Sequence, residues 1–191
     1  MLNKLLYHTE KVLDSDDILH LLTLYDEDKL DRQNTIAPGG VCTRFYKKLN
    51  LSRYGFADIS EKIKSMVEIY NENPLDYEGY EIHILRYEVG DFFAPHLDNN
   101  SERLGRVFST STLLRKTDDL VGGDLVVGPQ NVPIKQEVGD TVLFRSGTRH
   151  GVTRVEKGTR WTLVVWFYGC VTVEDTINRM ILMERKRRGE I

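Results

Sequence analysis

The residues with chemistry to offer begin in "FFAPHLD", residues 92–98, where His96 and Asp98 stand two positions apart. An imidazole nitrogen and a carboxylate oxygen are both metal donors. At i and i+2 they share a face only where the chain is extended, because side chains alternate with period two along a strand. On a helix the same pair would diverge by about 200°. Alone, His-x-Asp reads first as a histidine hydrogen-bonded to its neighbour, so a metal reading needs a third donor. The chain holds five histidines, the others being His8, His20, His83 and His150. His8 lies near the terminus and His20 in an amphipathic stretch, both near the surface, and His83 in "YEIHILRYE" reads as a satisfied core or face residue. His150 differs: it follows "GDTVLFRSGTR" and opens "HGVTRVE", where a loop enters a strand and a side chain can reach the rim of a barrel.

The run "HGVTRVEKGTRWTLVVWF" reads as a hairpin with a three-residue loop Glu156-Lys157-Gly158, glycine taking the left-handed position. That pairing sets Val155 opposite Thr159, Arg154 opposite Arg160 and His150 opposite Val164. Arg160 then shares a sheet face with His150, about 13 Å away along the strand. A guanidinium turned into an apolar sandwich needs an anion, and its planar fork suits a carboxylate held two-pronged. His96, Asp98 and His150 make a two-histidine, one-carboxylate face that leaves three positions open on an octahedral iron. Arg160 stands where the far carboxylate of an iron-chelating dicarboxylate would arrive.

The elements that must position these residues follow from pattern. "FFAPHLD" reads as a short strand with Phe93, Pro95 and Leu97 on one face and Phe92, Ala94, His96 and Asp98 on the other. Pro95 removes a backbone donor, which sends that strand to an edge or rim. Around it, from residue 78 to 169, short β-branched and aromatic runs alternate with Gly, Asn and Asp, the cadence of an all-β jelly-roll rather than of βαβ units. Residues 1–77 read as mostly helical support. There Asp14-Ser15 can cap a helix with Ile18, Leu21, Leu22 and Tyr25 on one stripe, and Asp58 or Ser60 can cap a second with Ile59, Ile63, Met66, Val67 and Tyr70 in register. Residues 170–191 return to helix, with Thr172 as cap and Val173, Ile177, Met180 and Ile181 as the apolar side. The expected fold class is mainly β with flanking α-helices, a single domain over 1–191.

Composition excludes more than it identifies. With 26 basic and 29 acidic side chains the net charge is −3, so nothing draws the whole chain to nucleic acid or an anionic membrane. The basic "RKRR" at 185–188 reads as a solvated helix end. Two distant cysteines, Cys42 and Cys170, define neither a disulfide framework nor a zinc spacing, which fits a reducing compartment. No stretch approaches the ~18 apolar residues of a membrane span, and the first residues lack a secretory apolar run. The expected setting is cytoplasmic, with no nucleic-acid and no membrane partner.

Residues 80–168 resemble the 2-oxoglutarate- and Fe(II)-dependent dioxygenases, and most closely their prolyl 4-hydroxylase-like branch. The resemblance is carried by "RYEVGDFFAPHLD" with Tyr87, Gly90 and Phe93 ahead of His96 and Asp98, then Arg106, "GGDL" at 122–125, "VGDTVLF" at 138–144, His150 and "GTRWTLVVWFY" at 158–168. It implies a double-stranded β-helix (jelly-roll) core, with His96, Asp98 and His150 matching the iron ligands. Arg160 matches the basic residue for the 2-oxoglutarate 5-carboxylate, Tyr87 a tyrosine beside the cosubstrate, and Thr162 a hydrogen-bond partner of the same carboxylate. Some members carry a tyrosine where this chain has Leu113. Gly122 and Gly123 read as turn residues opening a strand, and Arg106 as structural or as supporting the ligands. The implied activity is hydroxylation of an unactivated C–H coupled to decarboxylation of 2-oxoglutarate to succinate and CO2. It uses Fe(II) and O2, with ascorbate as a reductant.

The substrate expected from the resemblance is a prolyl or other residue of a peptide or protein. A free amino acid or other small molecule is the alternative, for which Arg115, Arg145 and Arg149 would supply charge if they are not simply surface residues. A non-catalytic, cupin-like metal module is the third reading, and it has no use for Arg160. Residues 31–55 and 99–106 are expected to form a lid or substrate groove.

Overall fold

The computed structural model describes residues 6–23, 31–37, 40–49, 57–71, 77–99 and 105–169, together with Arg185 and Arg188. In chain order the elements are β1 (His8–Lys11), α1 (Ser15–Thr23), β2 (Asp31–Ala37), β3 (Gly40–Leu49), α2 (Ala57–Asn71), β4 (Tyr77–Tyr87) and β5 (Phe93–His96). There follow β6 (Arg106–Lys116), β7 (Val121–Gly122), β8 (Leu125–Val127), β9 (Val132–Ile134), β10 (Asp140–Arg145), β11 (His150–Val152), β12 (Val155–Lys157) and β13 (Arg160–Gly169).

The strands form two main antiparallel sheets, as the jelly-roll expectation requires. Seven lie in the order β1-β10-β6-β13-β4-β3-β2, four in the order β5-β11-β8-β9, and β12 pairs with β7 in a small ribbon. Alternation along β13 shows how the large sheet serves two cores. Trp161, Leu163, Val165 and Phe167 join Ile82, Ile84, Phe108, Leu114 and Leu143 beneath the helices. The opposite parity, Arg160, Thr162, Val164 and Trp166, faces the small sheet. A second cluster closes the sandwich there, with Leu125, Val127 and Ile134 of the small sheet against Val142 and Phe144 of β10.

The helices form where the sequence places them. Asp14 Oδ1 accepts the N–H groups of Asp16 and Asp17 at 3.0 Å each, and Asp17 returns a carboxylate to the Asp14 N–H at 3.1 Å, a reciprocal cap on α1. Ile18 and Leu21 from α1 and Ile59, Ile63, Met66 and Val67 from α2 fill the outer core. Helix α2 begins at Ala57, ahead of a cap at Asp58 or Ser60. Among the described residues no helix is long and apolar enough to cross a membrane.

Two expectations are corrected here. The described residues of 1–77 are not mostly helical: β1 joins β10, and β2 and β3 extend the large sheet beyond β4. Pairing of β3 with β4 (Phe45 opposite Arg86, Leu49 opposite Ile82) and of β2 with β3 outweighs the weak local pattern of "DRQNTIA", as non-local pairing does in sheets generally. Likewise, residues 150–169 do not form one hairpin. β11 lies in the small sheet against β5 and β8, while β13 lies in the large one between β4 and β6. His150 and Arg160 therefore sit on different sheets, and the 13 Å same-face reading falls with the hairpin. The expected C-terminal helix, like Tyr25, lies outside the described residues apart from exposed Arg185 and Arg188.

Candidate metal centre

His96 and His150 are direct cross-strand partners, β5 against β11, with ring centroids 4.3 Å apart. β5 is an edge strand of the small sheet, the position Pro95 demands. Its register carries a bulge: His96 faces His150, yet Phe93 faces Val152, three residues of β5 spanning two of β11. The extra residue breaks the alternation and corrects the faces read from sequence. Phe93 turns to the same side as His96, their rings edge-to-face at 4.0 Å. Gly151 permits the close approach, since a Cβ there would lie 2.6 Å from the Phe93 carbonyl oxygen and 3.1 Å from the Pro95 nitrogen.

Asp98 follows β5 and is pinned by its own N–H, which donates to the Ser146 carbonyl at 2.9 Å. Its carboxylate lies between the histidines, with Oδ1 3.4 Å from His96 Nε2 and Oδ2 3.2 Å from His150 Nε2. The three ligand atoms fall within 4.8 Å of one another. Both imidazoles are oriented from behind: His96 Nδ1 meets the Ala94 carbonyl and His150 Nδ1 the Thr148 carbonyl, each at 2.9 Å. A carbonyl only accepts, so each Nδ1 carries the proton and each Nε2 presents a lone pair.

The electrostatics agree with that tautomer. Burial pushes the His96 pKa down, against the raising effect of Asp98, and so favours the neutral ring. Burial works to raise the Asp98 pKa, but positive charge and N–H donation from the facing His150 and His96 outweigh it and hold the carboxyl well below its ordinary value. A cation among the three ligand atoms would supply the same compensation with both rings neutral, so that two imidazole lone pairs and the carboxylate would point at it. The donor set fits a divalent metal of the iron type, and as a two-histidine, one-carboxylate face it leaves coordination positions free.

Behind Asp98 stands the large sheet. Trp166 Nε1 donates to Asp98 Oδ2 at 2.7 Å and Ser109 Oγ to the same oxygen at 2.8 Å. Arg106 is fully buried, with its guanidinium 4.1 Å over the Trp166 ring, Nη2 2.6 Å from Glu81 and Nε 3.0 Å from the Tyr168 hydroxyl. Burial would raise the Glu81 pKa; Arg106, Tyr168 and His83 outweigh it and lower it to about 2. A small cavity of about 50 Å³ lies beside the three ligands, walled by Leu85, Tyr87, Phe93, Phe144, Val164 and Trp166.

The residues expected at the site fall into two groups. His96, Asp98, His150 and Tyr87 line one cavity. Arg160 and Thr162 do not line it; they lie further along the inward face of β13, both buried, opposite Tyr87 and Leu85 of β4. The Arg160 guanidinium is 6.0 Å from the Tyr87 ring and donates to the Gly123 carbonyl and, at 3.4 Å, to Gln136 Oε1. Among the described residues its Nε has no hydrogen-bond partner, and Tyr87 and Asp124 act on it only through space. Burial accordingly lowers its pKa. Gly122 and Gly123 have φ of 73° and 67°, the turn conformation expected of them. Arg115, Arg145 and Arg149 are exposed, as a surface reading requires. Ser109, Trp166 and Gly151 were not singled out from sequence. A glycine directly after a ligand histidine in a strand is a legible sign of close backbone approach, but nothing in the letters couples Ser109 and Trp166 to Asp98.

Comparison with known proteins places this geometry. Residues 82–168 match the family model described as the 2OG-Fe(II) oxygenase superfamily. A PKHD-type hydroxylase of Gluconobacter oxydans is 31% identical over 123 residues, 59% of this chain and 53% of that protein. The chain spans about half the length of several of the curated relatives it matches. Among solved structures, a Pseudomonas putida prolyl-4-hydroxylase superposes with a TM-score of 0.67 at 19% identity, covering 86% of this chain and 93% of that one. A Trichoplax adhaerens prolyl hydroxylase, solved with a hypoxia inducible factor oxygen degradation domain peptide fragment, gives 0.67 at 18% identity, with coverage of 88% and 86%. Residues 82–168, a little under half of the chain, thus match the 2OG-Fe(II) oxygenase superfamily, and the fold is the one seen in solved prolyl hydroxylases.

Proposed function

We propose that this chain is an Fe(II)- and 2-oxoglutarate-dependent dioxygenase that hydroxylates an unactivated C–H of a peptidyl residue, proline being the first candidate. The observation that carries the reading is the convergence of His96, Asp98 and His150, the last two buried and the first partly so, on the lining of one cavity. When bound, iron and 2-oxoglutarate supply the oxidative chemistry, coupling O2 reduction and release of succinate and CO2 to hydroxylation. The protein's part is positional. His96 and His150 offer Nε2 because the Ala94 and Thr148 carbonyls hold the other nitrogen's proton. Asp98 stays ionised at the floor. Arg160 supplies a buried positive charge for the far carboxylate of the cosubstrate, with Tyr87 and Thr162 beside it on β4 and β13. Leu85, Phe93, Phe144 and Val164 exclude water from the reacting C–H.

A peptide substrate is favoured by the prolyl hydroxylase neighbours, one of them solved with a peptide. The decisive experiment is an anaerobic titration with Fe(II) and 2-oxoglutarate, followed by the weak visible charge-transfer band of the chelate and then by succinate release in air with ascorbate present. His150→Ala is expected to abolish both band and turnover; wild-type protein giving neither would refute the reading. Proline-containing peptides assayed against free amino acids then separate the two substrate classes, and succinate release stimulated only by free amino acids would refute the peptidyl assignment.

A further inference from the structure

The two oxygens of Asp98 are not equivalent. Oδ2 receives two hydrogen bonds from the large sheet, Trp166 Nε1 at 2.7 Å and Ser109 Oγ at 2.8 Å. Two donors fill the two lone-pair directions of a carboxylate oxygen. Oδ1 faces the His96 Nε2 at 3.4 Å, and among the described residues the large sheet brings it only the Arg106 Nη1, at 3.9 Å, too far for a hydrogen bond. The donors are themselves fixed. The Trp166 indole lies between the Arg106 guanidinium, 4.1 Å over its ring, and the edge of His83 at 4.9 Å. Arg106 is anchored by Glu81 and Tyr168. Ser109 Oγ, donating to Asp98, accepts from Ser146 Oγ at 2.8 Å, and Ser146 also receives the Asp98 N–H on its carbonyl.

We infer that Trp166 and Ser109 are positioning residues for the metal: they hold Asp98 Oδ2 so that the carboxylate offers Oδ1 alone, as a one-toothed ligand. This rests on the metal-centre reading above. The physical reason is that a free carboxylate can swing about its Cβ–Cγ bond and chelate through both oxygens, which would take a coordination position needed by cosubstrate or O2. With Oδ2 engaged by two buried donors from β13 and β6, that rotation would break both bonds and leave the donors unsatisfied in the interior. The device spans the sandwich. The small sheet supplies the histidines, and the large sheet fixes how the aspartate meets the metal.

Trp166→Phe removes the N–H while keeping an aromatic ring under Arg106, and Ser109→Ala removes the hydroxyl with less change in volume. Co(II) titrated into the full chain under anaerobic conditions reads affinity and ligand geometry together, with no need for turnover. Each variant is expected to bind Co(II) about 10- to 100-fold more weakly, with ligand-field bands shifted from those of wild type because the released carboxylate turns. Unchanged affinity in both variants would overturn the inference. So would weaker binding with wild-type bands, since that signals general loosening rather than a turned ligand. Should Trp166→Phe fail to fold by circular dichroism, Ser109→Ala alone decides by the same two readouts. Wild-type protein that takes up no Co(II) overturns the metal-centre reading and this inference with it, whereas wild-type binding with unaltered variants overturns the inference alone.

Discussion

Arg160 carries a positive charge into the sandwich and donates there to neutral acceptors, the Gly123 carbonyl and the Gln136 side chain, with Asp124 acting on it only through space and its Nε unpartnered among the described residues. A buried guanidinium in that condition is poorly solvated, and an incoming carboxylate relieves it. Arg160→Ala is therefore expected to raise the 2-oxoglutarate concentration for half-maximal succinate release by roughly 10- to 100-fold, the loss of one charge-assisted contact, while Fe(II) affinity measured without cosubstrate stays near wild type. An unchanged cosubstrate requirement would remove the role.

The bulged edge strand β5 and its partner β11 form the element on which the histidines depend. Their backbones approach so closely at Gly151 that a methyl group would meet the Phe93 carbonyl oxygen at 2.6 Å, a distance that backbone atoms cannot yield without moving β5. Gly151→Ala is thus expected to leave the helical outer core intact and to separate His96 from His150. Circular dichroism should be close to wild type while Co(II) or Fe(II) affinity falls by about tenfold or more. Retained affinity would show that the strands can part without disturbing their ligands. The same bulge explains why strict alternation misplaces Phe93: period-two reasoning holds only while the ladder is regular.

At the scale of the molecule, Glu81 ties three strands of the large sheet together through Arg106 of β6, Tyr168 of β13 and its own β4. Its folded pKa of about 2 lies below its ordinary 4.5. A lowered carboxylate pKa gives stabilisation that is present above the unfolded value and is lost as pH falls through the folded one. Stability against urea should therefore decline between pH 4.5 and about 2 as Glu81 takes up its proton. Glu81→Gln should be less stable than wild type at neutral pH, with a shallower decline over that interval. Parallel declines in the two proteins would show that other carboxyls set the acid limit.

The alternation, the turn glycines and the edge-seeking proline made the jelly-roll core legible from residue 78 onward, because each is a local property of the backbone. His96, Asp98 and His150 were legible as a donor set because ligand chemistry restricts residue type and because His-x-Asp sits in an extended segment. What the letters could not carry is which strand pairs with which. β2 and β3 look unremarkable until β4 lies beside them, and residues 150–169 look like one hairpin although their two halves belong to opposite sheets. Non-local pairing is decided by packing over the whole core, and it leaves little trace in a local pattern. That pairing alone brings Ser109 and Trp166, 11 and 68 residues from Asp98, onto one of its oxygens. The sequence determined which atoms can bind a metal, and the tertiary structure decided how they are aimed.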